Sequence, residues 1–130
     1  MKRRLLTILI LVTVLALSAW WWNDRLGELS LGNRGIARKN GTARFEPVRW
    51  QKADKVERGK MVADLMRNHR FLGLENKSVF ELLGPSTCYW GHEDEPCYSL
   101  EFDGRHFELG FGVNHSNRPG EIVQAAIRRF

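Results

Sequence analysis

The stretch Cys97-Tyr98-Ser99-Leu100-Glu101-Phe102-Asp103-Gly104-Arg105-His106-Phe107-Glu108-Leu109-Gly110-Phe111-Gly112-Val113 decides the fold. Apolar and polar residues alternate on both sides of Asp103-Gly104, a pair suited to φ > 0 at both central positions of a type I′ hairpin. A two-residue turn fixes the register, so Phe102 opposes Arg105, Leu100 opposes Phe107 and Tyr98 opposes Leu109. Tyr98, Leu100, Phe102, Phe107, Leu109, Phe111 and Val113 then share one face of the sheet, and Ser99, Glu101, His106 and Glu108 share the other. The period of 2 predicts strands over residues 96–102 and 105–113. Further strands are expected over 86–91 and over 121–129, the last adding Val123, Ala125 and Ile127 after a loop marked by Asn114, Asn117, Pro119 and Gly120.

A sheet with one apolar face needs a cover, and the preceding residues supply helical periods. Asp54 followed by Glu57 is a capping-box-like start. Met61, Val62, Leu65, Met66 and His69 form one stripe, with Arg58, Lys60, Asp64 and Arg67 facing water, and this helix should stop before Gly73. A shorter helix over 76–83 turns Val79, Leu82 and Leu83 inward and ends at Gly84-Pro85. The expected class is α+β: two helices packed on one face of a three- to four-stranded antiparallel sheet, with the folded unit spanning residues 47–130.

Upstream lies a different kind of sequence. Lys2, Arg3 and Arg4 precede an apolar run over residues 5–19 that ends in Trp20-Trp21-Trp22. Residues 5–22 make roughly 27 Å of helix at about 1.5 Å per residue, close to the hydrocarbon thickness of a bilayer. The basic residues place Met1 in the cytoplasm, carry the chain beyond Trp22 across the membrane, and leave the tryptophans at the outer interface. This predicts a single-pass inner-membrane protein with its C-terminal domain in the periplasm. The alternative is a signal peptide cleaved near Ser18 or Ala19, at Ala16-Leu17-Ser18 or Leu17-Ser18-Ala19.

Residues 23–46, with Gly27, Gly32, Gly35, Gly41, Asn33 and Asn40 and no sustained period, read as a flexible basic stem. Leu26, Leu29, Leu31 and Ile36 are the residues there able to dock a short piece on the domain. The formal net charge is +5, yet residues 46–130 hold 12 of the 20 basic and 13 of the 15 acidic groups. The excess is therefore concentrated in residues 1–45, including Arg25, Arg34, Arg38, Lys39 and Arg44. A near-neutral exported domain gives no basic face for nucleic acid, and that class is set aside.

Cys88 and Cys97 lie nine apart in a chain bound for an oxidising compartment, which predicts a disulfide across a hairpin on the polar face. A zinc site from Cys88, His92, Cys97 and His106 is the sharper alternative, but its spacing matches no standard knuckle. The Glu93-Asp94-Glu95 run reads as a solvated tip, His69 as a core or boundary residue and His115 as a loop residue. No nucleophile stands at motif spacing from a base, and Gly110-Phe111-Gly112 lacks the strand-to-helix setting of a phosphate loop. Neither an enzyme nor a cofactor or metal is expected.

Arg58-Gly59-Lys60-Met61-Val62-Ala63-Asp64-Leu65, Gly73-Leu74, Ser78-Val79-Phe80-Glu81-Leu82-Leu83-Gly84-Pro85 and Tyr98-Ser99-Leu100 together resemble the small envelope domains of the BamE/SmpA/OmlA type, whose fold is similar to the halves of β-lactamase inhibitory protein. The resemblance covers residues 57–110. It implies a periplasm-facing domain of the bacterial cell envelope that acts through protein contacts. In contrast to the lipoprotein members, Trp20 stands where an acceptor Cys would follow the small residues. Tyr89, Trp90 and His92 are the expected partner-binding residues, since Tyr and Trp are enriched at binding hot spots. The expected function is a non-catalytic, membrane-tethered interaction module that binds an envelope protein. The alternatives are an inhibitor or immunity-type protein that blocks a secreted hydrolase with the loop over 90–96, and a metal-binding sensor.

Overall fold

The computed structural model describes residues 1–24 and 28–130, without the side chains of residues 21–24 and 31. Arg25, Leu26 and Gly27 of the expected stem, and the side chains of Trp21, Trp22 and Leu31, lie outside the described residues.

The N-terminal segment is one continuous helix, α1 (Lys2–Asp24), whose apolar window is long enough to cross a membrane and also fits a signal sequence. Its hydroxyls are satisfied within the helix: Thr7 and Ser18 donate to the carbonyls of Arg3 (2.8 Å) and Val14 (2.7 Å), which suits an apolar surround.

Residues expected to be a stem fold into the domain. Ser30 caps α2 (Leu31–Asn40) by accepting from the Asn33 N–H, and Leu29, Ala37 and Phe45 are buried in the core. The reason is packing that a glycine-rich window conceals. A Cβ on Gly41 would stand 2.3 Å from the Ala63 Cβ, so glycine there lets the end of α2 close on the next helix layer.

Pro47 opens α3 (Pro47–Lys52), which buries Trp50 completely. The next helix, α4 (Lys55–Asn68), starts as its sequence directs, with the Asp54 carboxylate accepting from Glu57 N at 2.9 Å, and buries Met61, Val62, Leu65 and Met66. Arg58, expected in water, is buried, and its Nε donates to the Trp50 carbonyl at 3.3 Å because α3 folds back over that turn. His69 sits half-buried at the helix C-cap, its ring between Phe45 and Phe71. Helix α5 (Asn76–Leu83) ends at Gly84, whose φ of +80° no side-chain-bearing residue adopts easily.

The sheet contains three strands, β1 (Cys97–Phe102), β2 (Arg105–Val113) and β3 (Ile122–Arg129), antiparallel in the order β1-β2-β3. Asp103 (φ +50°) and Gly104 (φ +73°) form the hairpin turn, and Phe102 pairs with Arg105, Leu100 with Phe107 and Tyr98 with Leu109, as expected. Helix α4 lies over β1 on the apolar face, where a Cβ on Gly59 would stand 2.5 Å from the Glu101 carbonyl oxygen. The pairing of helices differs from expectation: α2 packs beside α4 and reaches β3, while α5 packs chiefly against α3 and contributes Val79 and Leu83 to the core.

Two strand expectations are corrected. Residues 86–91 form bends and irregular loop, because Ser86 and Thr87 meet the β1 edge mostly through hydroxyls: Cys97 N donates to Ser86 Oγ (3.0 Å) and Ser99 N to Thr87 Oγ1 (2.8 Å), leaving one backbone bond, Thr87 N to Cys97 O (2.8 Å). In β3 a bulge opposite Gly112 and Val113 shifts the phase, so Ile122 takes the inward position expected of Val123, and Val123 is 54% exposed. Ala125 and Ile127 point inward as expected.

Candidate functional site

The residues singled out for partner binding lie on the segment over 85–96, which crosses the polar face of the sheet. Its entry is fixed by the Cys88–Cys97 disulfide, with Cα atoms 5.1 Å apart. Cys97 follows the parity of Ser99, opposite to that of core residue Tyr98, so the bridge lies on the polar face.

Trp90 then lies flat on the sheet. Gly110, central in β2, has no side chain, and a Cβ there would be 1.9 Å from indole Cδ2 and Cε3. Opposite Gly110 in β3 stands Ala126, so two small residues leave a platform for the ring. The Arg128 guanidinium lies over the ring, 4.3 Å from its centroid.

Arg128 is the hub of this face. It holds one Glu108 oxygen, Oε2, through Nε at 2.8 Å and through Nη2 at 2.7 Å, so two guanidinium nitrogens converge on a single carboxylate oxygen in charge-assisted contacts. Its terminal nitrogens also donate to the main-chain carbonyls of Trp90 (3.0 Å) and Tyr89 (2.6 Å). The Glu108 carboxylate is almost wholly buried, a position a lone charge tolerates only with such a partner. Glu108 is thus covered by Arg128 and Trp90, while the Arg128 side chain itself stays 40% exposed.

Tyr89 is 62% exposed, and its hydroxyl donates to the Gly91 carbonyl. His92 is exposed at the tip, its ring 4.4 Å from that of His115, which reaches across from the loop after β2. His115 stands between Asp94 (3.6 Å) and Glu95 (3.8 Å). Glu95, expected at a solvated tip, is buried and accepts from His92 N (3.0 Å) and Val113 N (3.1 Å), tying the tip to the end of β2.

The four residues weighed as a zinc set are not brought together. Both sulfurs are joined in the disulfide, His92 faces His115, and His106 lies 4.0 Å from Glu108 and against Phe130 at the far end of β2. The sulfurs and Glu108 do cluster, but a disulfide offers no thiolate to a metal.

Arg128, Glu108 and Gly110 were absent from the sequence-based site. The legible signal was two glycines in mid-strand, which mark close approach of another group to a sheet face. On the opposite face, burial raises the Tyr98 phenol well above its usual range, with Arg58 opposing that shift, and its hydroxyl donates to the Gly84 carbonyl at 2.7 Å.

The geometry defines a disulfide-closed α+β domain behind an apolar N-terminal helix. No protein-family profile, curated protein or solved structure matches the chain.

Proposed function

We propose that this chain is a membrane-tethered interaction module of the bacterial cell envelope, held in the inner membrane by α1, with the domain in the periplasm and a protein partner bound at the segment carrying Tyr89 and His92. The observation that carries the reading is the joining of an apolar, bilayer-length helix to a small domain whose exposed aromatic loop is held rigid by a disulfide and an ion pair. A fixed loop loses little conformational entropy on binding, and an exposed tyrosine supplies contact area at little rotamer cost. Trp90 supports the surface from below, where it is already packed against Gly110 and Arg128. The envelope assignment rests on the resemblance to BamE/SmpA/OmlA-type domains together with the basic flank of α1, and the module is proposed to act without catalysis or cofactor.

The test is photocrosslinking in native membranes from a benzoylphenylalanine at position 89 of the full chain, with position 103 as the control. Crosslinks from position 89, absent from position 103, to a membrane-embedded envelope component, on a chain that keeps α1, support the reading. A chain cleaved near Ser18 or Ala19 in a one-to-one complex with a soluble hydrolase overturns it in favour of an inhibitor.

A further inference from the structure

The tether is much shorter than its sequence suggests. Glu28, four residues beyond the end of α1, is already fixed to the domain: its carboxylate accepts from Phe71 N (2.8 Å) and Leu72 N (3.0 Å). Leu29, next in the chain, is buried. Four extended residues reach at most about 14 Å, so the loop that holds Glu28 cannot lie far from the end of α1.

That loop presents apolar surface. Leu72 and Leu74 are 47% and 42% exposed and Arg70 is exposed, while Phe71, between Arg70 and Leu72, is buried against Phe111. The leucines are held outward by a rigid backbone: Gly73 N donates to the Ile122 carbonyl (2.9 Å), Ile122 N to the Leu74 carbonyl (2.7 Å) and Leu74 N to the Phe71 carbonyl (3.0 Å).

We propose that residues 70–74 are a membrane-contact surface, with Leu72 and Leu74 seated at the headgroup and acyl boundary of the bilayer spanned by α1 and Arg70 against lipid phosphate. The proposal rests on α1 remaining in the membrane. The occupant is lipid because the chain itself delivers this loop to the bilayer surface, and because exposed leucines beside an arginine match an interface that is apolar below and anionic above. The acidic Glu121 near Gly73 is countered by Arg118 at 3.7 Å. The strands Cys97–Phe102 and Arg105–Val113 lead away from this end, so the Asp103-Gly104 turn lies roughly 27 Å further along β2. Contact at 70–74 would therefore set the orientation of the whole domain on the membrane.

The test uses the full chain in liposomes of phosphatidylcholine and phosphatidylglycerol, with bimane attached at Leu72→Cys, Leu74→Cys or, as control, Asp103→Cys. Thiol counting checks that the Cys88–Cys97 bridge is intact. Nitroxide lipids labelled at the headgroup and at a shallow acyl position should remove most of the fluorescence at 72 and 74 and leave that at 103. Equal fluorescence at all three positions in protein that resists alkaline carbonate extraction overturns the contact while leaving the anchor intact. A blue shift at 72 and 74 without lipid quenching also overturns it, because the cover is then protein. Extraction by carbonate removes the anchor reading, and the lipid contact with it.

Discussion

The indole of Trp90 rests directly on the backbone of Gly110, and nothing larger than hydrogen fits between them. This contact sets the indole beside the Glu108–Arg128 pair on the polar face of the sheet, and it pins the loop that carries Tyr89 to β2.

Adding the methyl group of Gly110→Ala must therefore push the indole off the backbone of β2. A destabilisation of about 2–3 kcal/mol is expected from overpacking, and Trp90→Ala should cost about 2–4 kcal/mol, both read as a lower denaturant midpoint. An unchanged midpoint for Trp90→Ala would show that the ring is not part of the fold.

The Cys88–Cys97 bridge closes a loop with a sequence separation of nine. The chain-entropy relation gives about 2–3 kcal/mol for its removal by Cys88→Ala with Cys97→Ala. Equilibrium unfolding in urea, compared with the native chain with and without reductant, measures that loss; reduction alone should reproduce most of it.

Glu28 is the acceptor for two backbone N–H groups. Replacing it with alanine leaves both donors without their acceptor and should destabilise by about 1–3 kcal/mol, with a smaller effect for Glu28→Gln, which keeps a carbonyl oxygen. Hydrogen exchange at the Phe71 and Leu72 amides should accelerate in Glu28→Ala before exchange in β2 does.

Burial raises the Tyr98 phenol above its ordinary value of 10.0, so the folded state keeps its proton where the unfolded chain loses it. Stability contributed by this difference is complete below pH 10 and falls as pH rises from there toward the raised folded value. Tyr98→Phe should unfold more easily at pH 7, by about 1 kcal/mol for the lost bond to Gly84, and show a shallower alkaline decline. Denaturant midpoints at pH 8, 10 and 11 for both proteins check the sign.

At Gly59 a Cβ would meet the Glu101 carbonyl oxygen at 2.5 Å, where α4 crosses β1. Gly59→Ala should lower stability by about 1–3 kcal/mol despite alanine's better helix propensity, and thermal unfolding gives the measurement.

Local chemistry determined a good part of this protein. Asp103-Gly104 fixed the β1-β2 register, Asp54 fixed the start of α4, Gly84-Pro85 closed α5, and the apolar run over 5–19 marked α1, because each depends on groups a few residues apart. The tertiary structure alone decided what depends on distant neighbours. The glycine-rich residues before Pro47 became a packed helix because Leu29, Ala37 and Phe45 found a core built from residues further on. Ser86 and Thr87 stayed out of the sheet because their hydroxyls satisfied the edge of β1. Val123 turned outward because a bulge opposite Gly112 reset the phase of β3. The burial of Glu108 likewise needed partners far apart in sequence, Trp90 and Arg128. A period or a turn is written in adjacent residues, whereas burial of a charge or a ring is settled only by what the folded chain brings against it.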